Sequence, residues 1–225
     1  MGTLWWIPFS AGFEDGLDPC ALMTVAIVIV LYLWLRRGLK PGKFLGLFFA
    51  GLIILNLVFN LGFFIQIWAS PAVQKVSVVL YKILAVGFLG LGAVFFYDWV
   101  LLIKGKDPQV LLSRRLFNKN ATLKKGQAQK AIFMMIAAAL IVSLISTVWA
   151  PNYYISMIAN NFLVPGRRWE TVFLLMVYTV VELWLALVLA AVLRRGKLSV
   201  RLEQLVFCAV FLVAGGSALY FFGVI

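Results

Sequence analysis

The chain has 225 residues, is 64% hydrophobic and carries a formal net charge of +12; with a mean hydropathy of +1.03 it belongs to the membrane class and leaves little length for a soluble domain. The absence of histidine excludes a His-ligated haem, a His-rich metal site and a Ser–His dyad. Two cysteines are too few for a four-thiolate zinc or iron–sulfur site within this chain, so no metal or cofactor is expected and thiol redox is the main chemistry left.

A helical span needs roughly 20 apolar residues to cross a hydrocarbon core about 30 Å thick. Taken in chain order, the first such stretch runs over 4–35 and is interrupted at "EDGLDPC" (14–20). No positively charged region precedes Leu4, so this stretch is expected to remain in the mature protein rather than act as a cleaved signal. Apolar stretches follow at 44–68 and 76–103. Next comes the longest polar connection, 104–130, which is basic and contains Gly105, Pro108 and Gly126. Three more stretches occupy 131–159, 169–193 and 205–225. The pattern predicts an all-α integral membrane protein of six transmembrane helices in a single membrane domain.

The charge is unevenly distributed. Sixteen of the twenty basic residues fall in the connections after spans one, three and five, and the other four are Lys75, Lys82, Arg167 and Arg168. By the positive-inside rule the odd connections are cytoplasmic and both termini lie outside, in a multi-pass protein of the cell (inner, cytoplasmic) membrane. The basic balance thus reads as topology and as contact with anionic lipid, not as a nucleic-acid surface. Trp5, Trp6, Trp68 and Trp169 near outer span ends, with Trp34 and Trp99 near inner ones, fit interfacial anchors.

The 104–130 linker divides the chain into repeat one (1–103) and repeat two (131–225), three spans each. An odd number of spans per half makes the second half enter the membrane from the opposite side, which is the arrangement of inverted repeats with sites at interrupted helices. The first span of each half carries a proline: Pro19–Cys20 in one and Pro151–Asn152 in the other. Proline removes a donor and clashes with the preceding turn, so both spans are expected to kink or break there. Counted from the inner boundary at Leu35, Cys20 lies about 22 Å up a straight helix; counted from Ala131, Asn152 lies about 32 Å up, less if tilted. Both positions belong to the outer half of the membrane, where they can face one another.

"DGLDPCAL" (15–22), "FYDWVLLIKGK" (96–106) and "SLISTVWAPNYY" (143–154) resemble motifs of the CcdA family and of the DsbD transmembrane domain, six-helix thiol–disulfide electron carriers. The resemblance implies transfer of reducing equivalents from cytoplasmic thioredoxin-like proteins to extracytoplasmic thiol proteins, as in cytochrome c maturation. It also implies a relay of two cysteines, one behind each proline of spans one and four. Cys20 matches the first. Asn152 stands at the second and has no thiol chemistry, so the chain reads as a diverged member whose relay, if active, works through Cys20 and a partner. Cys208 is a poor substitute, because it lies roughly 17 Å from Cys20 in depth, against a Cα separation below about 7 Å for a disulfide. The alternatives are a redox-inactive homologue serving as a membrane subunit or anchor of a larger complex and, more weakly, a small-solute transporter.

Each candidate residue has a plainer reading. Cys20 is either the nucleophile of a mixed disulfide or an inert buried thiol. Glu14 and Asp15 read as outer-facing acids at a helix N-terminus, whereas Asp18 can cap the half-helix behind Pro19. Glu182 is the most anomalous charge, thirteen residues into a 25-residue apolar stretch. An acid at that depth faces a partner, a cavity or a pathway. Asn56, Asn60 and Gln66 read as interhelical hydrogen-bonding groups, and Asp98 as a partner for Lys104 or the hydrated inner loop.

Overall fold

A computed structural model describes residues 6–35, 41–59, 71–107, 111–113, 128–149, 166–195 and 198–221. Among the described residues the regular structure is helical: α1 (Trp6–Asp15), α2 (Pro19–Leu35), α3 (Pro41–Val58), α4 (Pro71–Ile103), α5 (Ala128–Trp149), α6 (Arg168–Glu182), α7 (Trp184–Arg195) and α8 (Val200–Phe221). Within the described residues, each predicted apolar stretch overlaps one or two of these helices. Three segments are long and apolar enough to cross a membrane on their own: Pro41–Val58, Val78–Ile103 and Val200–Tyr220. Two bent pairs, α1 with α2 and α6 with α7, raise the number to five if each pair is one span. α5 contributes a shorter apolar stretch, Gln129–Ser143.

α2 is the axis of the assembly. Its sequence, PCALMTVAIVIVLYLWL, has no polar face, and eleven of its seventeen residues are buried, as expected of a helix surrounded by others. One side packs into a core with α4 and α8, where Met23, Ala26 and Ile29 meet Tyr81, Ala85, Phe88, Phe207 and Phe211. Phe95 stands edge-on to Phe207 and stacks on Phe211, each with centroids 5.5 Å apart; such pairs contribute about 0.5–1.5 kcal/mol beyond their buried area. The other side forms a second core with α3, α5 and α7, built from Val28, Leu31, Phe48, Leu52, Met135, Ala139 and Ala186. Large apolar side chains also cover the outside: Ile83 and Val86 on α4 and Phe133 and Ile136 on α5 are more than half exposed, as lipid-facing residues are.

Asp98 does not serve as a loop acid. It is fully buried, and its two carboxylate oxygens accept the backbone N–H groups of Leu112 and Ser113, each at 2.7 Å. Ser113 in turn accepts a hydrogen bond from the Gln204 amide at 3.4 Å. The start of the basic linker is thereby fastened to both α4 and α8. Asn56 is buried, and its Oδ1 has no hydrogen-bond partner among the described residues. Asn60 and Gln66 lie outside the described residues.

Candidate functional site: two helix breaks in contact

The first break follows from local sequence. α1 ends as Leu17 and Asp18 donate to the carbonyls of Glu14 and Asp15, both at 3.1 Å, in tighter three-residue turns. Pro19, lacking an N–H, then occupies the first position of α2, where no donor is missed. Asp18 caps the new helix: its Oδ1 accepts the Ala21 N–H at 2.7 Å, an interaction of about 0.5–2 kcal/mol. α1 and α2 meet at 66°. Cys20 falls in the first turn of α2, is only 8% exposed, and is a free thiol. Its neighbours include Asp18, Tyr81 from α4 and Glu182 from α6.

The second described break is not the one predicted. Pro151 and Asn152, expected to interrupt the matching helix, lie outside the described residues. The predicted fifth span is instead bent by 56° between α6 and α7 at Leu183, directly after Glu182. No proline or glycine is present there. The run before it, Val177, Thr179, Val180 and Val181, is β-branched and only weakly favours a helix.

The two breaks are in contact because α1 presents glycine to α6. Gly12 and Gly16, four residues apart and so on one helix face, are both buried. A Cβ on Gly12 would stand 2.7 Å from the Tyr178 carbonyl oxygen. On Gly16 it would meet the Trp184 ring at 2.6 Å and the Glu182 carbonyl oxygen at 2.8 Å. Only glycine lets the backbones approach this closely, as in small-residue crossings of membrane helices. Two further contacts fasten the crossing. The Tyr178 hydroxyl donates to Asp15 Oδ2 at 2.5 Å, and Phe13 stacks on Trp184 with centroids 5.1 Å apart.

Asp15 and Asp18 from the first break and Glu182 from the second therefore occupy one region, close enough to act on one another electrostatically. Glu14 and Asp15, expected at a helix N-terminus, are both in the last turn of α1, and Asp15 is held by Tyr178 of α6. Glu182 is 8% exposed. Beside it, Thr179 Oγ1 and Trp184 Nε1 are buried with no hydrogen-bond partner among the described residues. The described residues contain no group of three or more His, Cys, Asp or Glu placed to hold a metal ion. Cys208 is buried in the α2–α4–α8 core and is also a free thiol.

The region thus combines a buried thiol, a tyrosine, three carboxylates and two polar atoms without a partner among the described residues, where two apolar helix pairs are bent. Sequence reasoning named Asp18, Pro19, Cys20 and Glu182, which the structure places in this region. It missed Gly12, Tyr178, Thr179 and Trp184; of these only the Gly12–Gly16 spacing carried a sequence signal, in the small-xxx-small pattern. No family model, curated protein or solved structure matches the chain.

Proposed function

We propose that the chain is a CcdA-like membrane thiol carrier that passes reducing equivalents across the membrane, with Cys20 as its exchanging atom. In this reading it has six spans in two inverted three-helix repeats, both termini outside, in the cytoplasmic membrane. The observation that carries the proposal is the setting of Cys20, on the first turn behind a capped helix break, beside a tyrosine and next to the break of a second helix. Irregular backbone at membrane depth occurs where it lines a site or a cavity rather than lipid.

The chemistry is thiol–disulfide exchange. The Cys20 thiolate attacks one sulfur of an extracytoplasmic disulfide, forming a mixed disulfide and releasing the other sulfur as a thiolate. A second thiol must then attack the Cys20 sulfur, which releases the substrate with both its sulfurs reduced and joins Cys20 to the attacking thiol. A neighbouring thiol of that same protein next attacks its own sulfur in this bond, freeing Cys20 as a thiolate and leaving that protein with the disulfide, which completes the two-electron reduction. Asn152 cannot supply the attacking thiol, so it comes from a thioredoxin-like partner. Cys20→Ser is expected to abolish reduction of extracytoplasmic thiols in membranes, while Cys208→Ser leaves it unchanged. If Cys20→Ser retains full electron transfer, the carrier reading fails and a redox-inactive membrane subunit remains.

A second reading, transport of a small polar solute, is favoured by one observation: Glu182, Thr179 Oγ1 and Trp184 Nε1 offer polar atoms at the meeting point of two broken helices. Glu182→Gln keeps the side-chain volume and removes the charge. A folded Glu182→Gln protein that has lost function, beside a fully active Cys20→Ser protein, would favour transport. Loss of function in Cys20→Ser alone would reject it.

A further inference from the structure

A separate feature lies at the far end of the α4–α8 pair. Leu102, one residue before the end of the apolar stretch Val78–Ile103, and Val200, the first residue of the stretch Val200–Tyr220, line the same cleft. This open cleft of about 290 Å³ is lined by Leu102, Gly105, Lys106, Ser199, Val200 and Arg201. Its shape follows from local backbone chemistry. Gly105 takes a positive φ of 74°, the left-handed turn that ends helices at low cost to glycine. The Lys106 N–H then returns to the Leu101 carbonyl at 3.1 Å, which places Lys106 in the cleft wall. On the other wall Ser199 accepts the Leu202 N–H at 3.3 Å and caps α8, with Arg201 following in its first turn. The cleft therefore has apolar side chains from both spans, Leu102 and Val200, and a cation from each element.

We propose that this cleft binds the phosphate headgroup of an anionic phospholipid. Position selects a lipid over free phosphate. Both apolar spans end at the cleft, so it opens at headgroup depth, and an amphiphile matches a wall that is half cationic and half apolar. The Lys106 ammonium, from the turn that follows α4, and the Arg201 guanidinium, from the first turn of α8, bracket one phosphate, and that turn of α8 adds the positive end of its dipole. A headgroup there bridges α4 and α8 beside the Asp98–Ser113–Gln204 contacts.

The test is lipid binding to the purified chain in neutral detergent, followed by native mass spectrometry and thermal unfolding, with phosphatidylglycerol, phosphatidylcholine or inorganic phosphate added. Phosphatidylglycerol is expected to bind and to raise the melting temperature, whereas the other two do neither. Lys106→Gln with Arg201→Gln is expected to weaken phosphatidylglycerol binding about tenfold or more, each cation contributing severalfold. Lys106→Gln alone should give an intermediate loss. Lys104→Gln, outside the lining, removes the same charge as a single variant and should bind as wild type, as should the melting temperature of every variant without lipid. Equal binding by the double variant and wild type overturns the proposal. An equal loss in Lys104→Gln and Lys106→Gln overturns the cleft in favour of general surface charge. Inorganic phosphate that displaces the lipid or stabilises equally overturns the lipid assignment in favour of a free-anion site.

Discussion

Gly12→Ala is expected to lower the melting temperature of the detergent-purified protein by several degrees, and Gly12→Leu to leave no monodisperse folded protein. The new Cβ would sit 2.7 Å from the Tyr178 carbonyl oxygen and 3.2 Å from the Val181 Cβ. The first of these is backbone inside α6 and has no rotamer into which to retreat. The crossing must widen, and overpacking of this kind costs about 1–3 kcal/mol. Widening also separates Tyr178 from Asp15 and loosens the stack of Phe13 on Trp184, so the loss should fall at the upper end. Gly46 and Gly90 are the controls, because a Cβ on either meets nothing within 4 Å. Alanine there should be neutral or slightly stabilising, since it favours a helix over glycine by about 1 kcal/mol. Equal melting temperatures for Gly12→Ala and Gly46→Ala would contradict the close crossing of α1 and α6.

The second large effect concerns the relay that the CcdA resemblance implies. Wild type has no thiol at residue 152, so under oxidising conditions it should form no internal disulfide. Asn152→Cys is expected to convert the chain almost completely to a form that migrates faster on non-reducing gels and reverts with reductant. Disulfide geometry requires a Cα separation below about 7 Å, so the result is close to all-or-none. The same substitution in a Cys20→Ser background should form nothing, which separates a Cys20 bond from one to Cys208. If Asn152→Cys stays reduced in the Cys20 chain, the two proline-linked positions do not face each other and the inverted-repeat reading loses its main support.

Much of the fold was legible because hydropathy alone marks apolar helices. Every stretch read from the sequence overlaps helix among the described residues, and the interruption at "EDGLDPC" is encoded by residues with known local preferences: Gly16 at the close approach, Asp18 as a cap and Pro19 at the helix start. The bend at Leu183 was not legible. Its residues include no proline or glycine, and the contacts around it come from α1, more than 160 positions earlier in the chain. Glu182 stood out as an acid in an apolar run, but its place beside Asp15 and Asp18 depends on that same long-range packing. Asp98 was misread for a related reason. Sequence distance pointed to nearby Lys104, whereas the carboxylate is used by backbone N–H groups fourteen and fifteen residues away.

The thiol and the two helix breaks meet in a single region, and that region makes Cys20 the residue on which the account depends. The most direct measurement is acid-quenched thiol trapping in membranes, comparing wild type with Cys20→Ser and Cys208→Ser. The account predicts a reductant-sensitive mixed disulfide between the chain and a thioredoxin-like or extracytoplasmic thiol protein, present in wild type and Cys208→Ser and absent from Cys20→Ser. A mixed disulfide that survives in Cys20→Ser, or none in wild type beside a trapped thioredoxin control, would contradict it.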